Sequence, residues 1–405
     1  MINTIRTDVA DRAASSAIGA APGKVVVVAG ADREALAHCQ VLLGALRGFA
    51  REIVVVGSRT GTDGLGAPDV GLIEIDCATA WRNPAAKAKE AWTLARIVEA
   101  ERPGVVHTVG MEAAALAALA LQVVRAERII VHLPDLRALE PQPGGLVWPY
   151  RRLALRLLAG LLRKPGSFLL VGCEDDLGDL RAQGVDPGAR FAVLGGAGVD
   201  PDVYPVLPPS PTEMPVAAFV GEIEQGSGLR ELFQAFERLW ARGVRLQLEI
   251  HGERQAERAQ APEPDALAGE WNRWSLHPGV RRTGWPTDSR EIWRRAEICV
   301  WPAHARQGLP RVLLEAAACG RALIVSHAAG GRAFVRHDVE GLVVPPRDTP
   351  ALAAALEQLA RDTDLRQRMG AAARLRVLQG FTEAHVHQAL RGAYLSLLES
   401  AGGDA

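Results

Sequence analysis

Lysine is scarce in this chain. There are four in 405 residues (Lys24, Lys87, Lys89 and Lys164) and none beyond position 164. Every basic side chain in the second half is therefore Arg or His, which excludes a Schiff-base lysine there, as a pyridoxal-phosphate phosphorylase would need. Cysteine is sparse too: Cys39, Cys77, Cys173, Cys299 and Cys319 are scattered, odd in number and without C-x-x-C spacing. They imply neither a disulfide framework nor a zinc site, and a reducing cytoplasm fits them best. No apolar run reaches the roughly 20 residues that a membrane span needs, the longest being Ala-rich and near Ala113–Val124. Excess charge of one sign is missing as well. Forty-six basic against 47 acidic side chains leave a net charge of −1, which excludes a strongly basic nucleic-acid binder but not a local basic patch. Residues 1–22 lack the apolar stretch of a secretion signal and read as a disordered tail. Ala29–Leu36 (AGADREAL) lacks the G-x-G-x-x-G of a nicotinamide-binding turn.

What is present is strand–helix alternation, twice. Lys24–Gly30, Glu52–Gly57, Gly104–Gly110, Arg128–Leu133 and Ser167–Gly172 are short, near-continuous apolar runs, the pattern of parallel strands covered on both faces. Ala86–Ala100 and Glu112–Ala126 between them have helical spacing. Pro201–Pro215 then holds six prolines and little periodicity, the composition of a linker. Beyond it, strands are expected at Val216–Gly221, Arg245–Gly252, Ile298–Pro302, Ala322–His327 and Gly341–Pro345. Helices are expected at Leu229–Arg242, Asp288–Ala296, Pro310–Cys319, Pro350–Arg361 and Glu383–Ser400. The spacing predicts two doubly wound α/β domains: 23–204, a linker at 205–215, and 216–382, with a helix in 383–405 returning to the first. Such pairs commonly hold a ligand in the cleft, outside the carboxyl ends of the strands.

The most informative segment is Gln307–Gly320, QGLPRVLLEAAACG. Pro310 suits the first helical position and Gly320 the helix end. Backbone N–H groups at Gly308 and Leu309 would then face an anion at a helix N-terminus. Glu315, more than a turn on, could accept hydrogen bonds from two neighbouring sugar hydroxyls. On spacing alone, an ordinary capped amphipathic helix with a solvated glutamate reads equally well.

The segment resembles the donor-binding motif of family 4 retaining glycosyltransferases, enzymes of the GT-B fold that carry two glutamates eight positions apart around a G-L-P-x-x-L-L-E-A core. Gly341–Asp348 (GLVVPPRD), Leu365–Arg374 (LRQRMGAAAR), Val280–Trp285 and Ile298–Ala303 are similar to neighbouring family segments. Arg128–Arg137 (RIIVHLPDLR) resembles the strand that ends in the family's active-site histidine, and Gly198–Asp200 its G-V-D turn. The texture is nearest to the branch acting on lipid-linked carriers. The resemblance implies two Rossmann-like domains facing across a cleft and a nucleotide-sugar donor, with UDP the expected nucleotide. It implies no metal and no cofactor. The acceptor would be a glycan or a lipid-linked saccharide. It gives Glu315 the ribose, Gly308 and Leu309 the phosphates, and Gln307 and His132 the sugar. A satisfied strand-end histidine remains the other reading of His132.

Three positions depart from the pattern. Gln307 replaces the first glutamate of the pair, Glu222 replaces an arginine after Gly221, and Ser227 replaces a lysine before Gly228. In the family that Arg and Lys neutralise the diphosphate leaving group. A carboxylate in their place repels it, by about 4 kcal/mol for unit charges 4 Å apart at an effective dielectric of 20. Arg230, Arg306 or Arg332 would have to supply the missing charge from another direction. A degenerate, non-catalytic subunit or scaffold for a partner transferase is therefore the alternative function. Trp148–Lys164 (WPYRRLALRLLAGLLRK) groups Arg152, Arg156 and Arg163 on one helical face opposite its leucines. It reads either as an ordinary helix or as a peripheral contact, led by Trp148 and Tyr150, with an anionic membrane at the inner face.

Overall fold

The computed structural model of the protein describes residues 22–30, 33–58, 65–75, 83–137, 148–208, 214–223, 226–253, 268–286, 288–304 and 308–399. The expected tail, Arg306 and Gln307, and the side chains of Trp148 and Tyr150 lie outside the described residues. The chain packs as two compact units, 1–197 with 383–405, and 198–382.

In the first unit β1 (Lys24–Ala29), β2 (Glu52–Gly57), β3 (Val70–Glu74), β4 (Val105–Val109), β5 (Ile129–Leu133), β6 (Ser167–Val171) and β7 (Phe191–Val193) form one parallel sheet in the order β3-β2-β1-β4-β5-β6-β7. Successive side chains of a strand point to opposite faces, which explains why the strands read as unbroken apolar runs. Val26, Val28, Val131 and Val171 pack under α2 (Pro84–Glu101), α3 (Met111–Ala120), α4 (Trp148–Leu162) and α5 (Glu174–Ala182). Val25, Val27, Ile130 and Leu170 pack on the other face, under α1 (Arg33–Leu46) and the C-terminal helix Glu383–Glu399. Leu155, Leu158, Leu161 and Leu162 are buried in the core, while Arg152, Arg156 and Arg163 are exposed. Among the described residues no helix is long and apolar enough to cross a membrane.

The second unit repeats the plan. β8 (Val216–Val220), β9 (Gln247–His251), β10 (Val280–Thr283), β11 (Ile298–Trp301), β12 (Ala322–Ser326) and β13 (Gly341–Val344) run parallel in the order β10-β9-β8-β11-β12-β13. One face carries α6 (Leu229–Ala241) and α11 (Thr349–Arg361). The other carries α8 (Arg290–Arg295), α9 (Arg311–Ala318) and α10 (Ala329–Phe334). Helix α7 (Ala268–Ser275) precedes β10, α12 (Thr363–Gly380) contributes to both faces, and Glu383–Glu399 is α13. Both sheets contain the 3-2-1-4-5-6 order of a Rossmann domain, the first with β7 added at its edge.

Two expectations shift. The division falls at 197/198 rather than 204/205, because residues 198–208 are bonded to the second unit. Arg374 donates to the carbonyls of Pro201 and Tyr204, and Arg321 to that of Pro208. Pro310 is the N-cap of α9, one residue before the first helical position.

Candidate active site

The carboxyl ends of β8 and β11 bring two loops together. Gly221, just past β8, donates its N–H to His251 O at 3.0 Å. Further on, Gly228 caps α6 with φ +73°, and a Cβ there would lie 2.2 Å from the carbonyl oxygen of Pro302. Only glycine permits that approach. His304 N–H donates to Gly226 O at 2.9 Å, pinning the loop after β8 to the loop after β11. Ser227 is buried in this corner, its Oγ accepting the Leu229 N–H at 3.4 Å. Gly308 and Leu309 are buried where the chain enters α9.

Glu315 projects from the second turn of α9 and is 8% exposed, not solvated. Its Oε1 accepts the Tyr204 hydroxyl at 3.0 Å and Arg311 Nε at 3.2 Å. Burial and the neighbouring Glu315 push the Tyr204 phenol up to about 12, so it is a donor at any ordinary pH. Glu222 is half-buried just past Gly221. Arg230 turns to α7, its Nε 2.9 Å from Glu270 Oε2. Arg332 is exposed on α10. Of the substitute cations considered from sequence, one is thus engaged by a carboxylate, and Arg306 lies outside the described residues together with Gln307.

In the first unit His132 stands near the end of β5, 1% exposed, with no hydrogen-bond partner for either ring nitrogen among the described residues. The His38 ring meets it edge-on at 4.8 Å and the His107 ring lies at 5.7 Å. His107 Nδ1 is 2.8 Å from the Tyr394 hydroxyl of α13. Burial first, and then the two neighbouring histidines, hold His132 far below the ordinary imidazole range. Burial alone takes His107 down to about 3. His132 is therefore a neutral imidazole, offering one donor and one acceptor. Buried polar atoms without partners are uncommon in native proteins, and the ring nitrogens of His38 also lack a hydrogen-bond partner among the described residues.

Sequence reasoning missed His38, His107, Tyr394, Tyr204 and Arg311. A polar His38 on the same helical face as Ala35 and Leu42 was the one available signal. Cys173 and Asp176, at the start of α5, have a structural role: the thiol donates to Asp176 Oδ2 at 3.1 Å, and the carboxylate in turn accepts the Cys173 N–H. The second bond, from the N-cap N–H to the side chain three residues on, is one half of a capping box. Among the described residues no group of three or more His, Cys, Asp or Glu is arranged to hold a metal ion.

Comparison with known proteins bears on this geometry. Residues 34–195 match the sequence profile described as "Glycosyl transferase 4-like domain", and residues 214–362 match "Glycosyl transferases group 1". CapM of Staphylococcus aureus, a capsular polysaccharide biosynthesis glycosyltransferase, is 27% identical over 188 residues, 46% of this chain and 48% of CapM. LpsE of Rhizobium meliloti, a lipopolysaccharide core biosynthesis glycosyltransferase, is 28% identical over 191 residues, 47% of this chain and 52% of LpsE. The chain spans about half the length of these curated relatives. The solved structure of Anabaena HepE in complex with UDP-glucose has a TM-score of 0.74 at 15% identity, covering 93% of this chain and 100% of that one. With both sheets in Rossmann order and both halves matched, the chain belongs to the group 1, family 4-like glycosyltransferases of GT-B fold.

Proposed function

We propose that the protein transfers a hexosyl group, with retention, from a UDP-sugar to a glycan or lipid-linked saccharide in polysaccharide or glycoconjugate biosynthesis. The observation that carries this reading is Glu315: a buried carboxylate on the helix entered through Gly308 and Leu309, at the carboxyl edge of a 3-2-1-4-5-6 sheet. It would hold the ribose, the backbone N–H groups of Gly308 and Leu309 the diphosphate, and Gln307 with neutral His132 the sugar. The bond from the anomeric carbon to the phosphate oxygen breaks, the acceptor oxygen replaces it on the same face, and the acceptor proton leaves with the diphosphate. No metal is assigned a part.

A thermal-shift screen against UDP-, GDP-, dTDP- and ADP-sugars tests this, since a specific ligand raises the melting temperature by mass action. Stabilisation by a UDP-sugar, lost in Glu315→Ala, is expected. Equal stabilisation in that variant removes the assignment.

A non-catalytic subunit serving a partner transferase is the second reading, favoured by Glu222 and Ser227 at the expected cationic positions and by the engagement of Arg230 with Glu270. It predicts no turnover by wild type, with diphosphate binding gained in the Glu222→Arg, Ser227→Lys double variant. Turnover by the isolated protein eliminates it. The exposed Arg152, Arg156 and Arg163 support peripheral contact with anionic lipid mainly through charge, since Leu155, Leu158, Leu161 and Leu162 are in the core and Leu153 is the exposed leucine of α4. Failure to float with anionic vesicles at low salt would remove that contact.

A further inference from the structure

Residues 198–208 look like connecting chain, yet three of the second unit's helices grip them. Tyr204 is 8% exposed, and its hydroxyl donates to Glu315 Oε1 at 3.0 Å while lying 3.0 Å from Ser289 Oγ. A phenol has one proton. That proton is given to Glu315, so the Ser289 hydroxyl must be the donor of the second contact, and the chain Ser289 to Tyr204 to Glu315 has a single direction. Arg311 Nε reaches the same Oε1 at 3.2 Å. Both contacts fall on one carboxylate oxygen, and the planarity of the group then fixes where Oε2 lies.

The backbone is held to match. Arg374 Nη1 donates to Tyr204 O and to Ala318 O, both at 2.7 Å, and so fastens Tyr204 to the far end of the helix that carries Glu315. Arg321 donates to Pro208 O and to Trp293 O, both at 2.9 Å, fastening the same segment to the helix that begins just after Ser289. All three members of the hydroxyl–hydroxyl–carboxylate chain are thus tied to one another through main-chain carbonyls as well as side chains. An arrangement so restrained suits a group whose job is to be in place before its ligand arrives.

We propose that Tyr204 is a positioning residue for Glu315: with Ser289 it sets the carboxylate plane so that Oε2 meets a ribose hydroxyl of the nucleotide. The assignment rests on the donor-site reading of Glu315. A tyrosine that only fills space would not care whether the ligand has that hydroxyl, and this separates the two roles.

The test is calorimetric titration of the full chain with UDP and GDP and with their 2′-deoxy and 3′-deoxy forms. Tyr204→Phe keeps the ring and removes the hydroxyl. The expected result is at least tenfold weaker binding of the ribonucleotide, about 1.4 kcal/mol, and less than a twofold change for the form lacking the recognised hydroxyl. Equal or tighter ribonucleotide binding by Tyr204→Phe, with binding still lost in Glu315→Ala, overturns the role of Tyr204 alone. Equal weakening of ribo- and both deoxynucleotides overturns it too, since Tyr204 would then act through packing. If wild type binds neither UDP nor GDP, the donor-site reading falls and the role of Tyr204 falls with it.

Discussion

The same strand order recurs in the two units, but the most deeply buried acidic and basic side chains, those at most 1% exposed, differ in kind. In the first unit these are imidazoles, the Lys87–Glu90 pair and Asp176 being slightly less buried. His107 is satisfied on one side by Tyr394, and His132 has no partner on either nitrogen among the described residues. The second buries carboxylates and surrounds them with cations. Glu249, fully buried in β9, takes Arg295 at 2.9 Å, Arg281 at 3.3 Å and His251 at 3.1 Å. Glu340, equally buried, takes Arg336 in a forked pair. The absence of lysine beyond position 164 is consistent with this, because a guanidinium presents a planar fork to a carboxylate and is more weakly hydrated than an ammonium. The comparison teaches that a Rossmann scaffold tolerates buried polarity either by removing charge or by pairing it.

The largest expected effect comes from unpairing the second unit's carboxylate. Arg295→Ala should cost about 2–3 kcal/mol in urea denaturation. That is below the ~3–5 kcal/mol of a buried pair broken outright, because Arg281 and His251 remain. A loss under about 1 kcal/mol would mean that Glu249 is not a buried ion and would break the comparison.

The next is a difference in acid response. Imidazoles held below their ordinary 6.5 take up protons on unfolding. Their stabilising contribution is full above about 6.5 and is lost as pH falls towards 3, at about 1.4 kcal/mol per pH unit for each histidine. Glu249, lowered from 4.5 to about 2, contributes fully above 4.5 and loses its contribution only as pH falls from there. Stability should therefore already decline between pH 6.5 and 5, and His107→Leu should flatten that decline by about one histidine's share. An unchanged slope across this window in urea melts of the variant would place the acid sensitivity elsewhere.

The smallest effect is one in which the units should agree. Asn83 caps α2 by accepting the Ala86 N–H at 3.1 Å, and Asp348 caps α11 by accepting the Ala351 N–H at 2.9 Å. Asn83→Ala and Asp348→Ala should each cost about 1 kcal/mol. Markedly unequal losses would show that the two units do not share one unfolding transition.

The sequence by itself determined the repeated α/β plan and the interior strands, because a strand covered on both faces must be apolar at every position, and such runs are visible one residue at a time. It also placed the helix of the donor motif to within a residue. The edge strands of the first sheet escaped it: β3 is mostly exposed and β7 is three half-buried residues, so both resemble loops, and β10, with Arg281 and Arg282 exposed, was placed only by its resemblance to a family strand. Tertiary structure alone decided the rest. Six prolines announce a linker whatever their carbonyls bind, and only the fold brings Arg374, 170 positions away, onto Tyr204. His38, His107, His132 and Tyr394 lie on a helix, two adjacent strands and the last helix. They meet because β4 and β5 pair in register and α1 and α13 cover the same face. Local pattern reports which way a side chain points. Which distant group it then meets depends on contacts whose partners are separated by most of the chain.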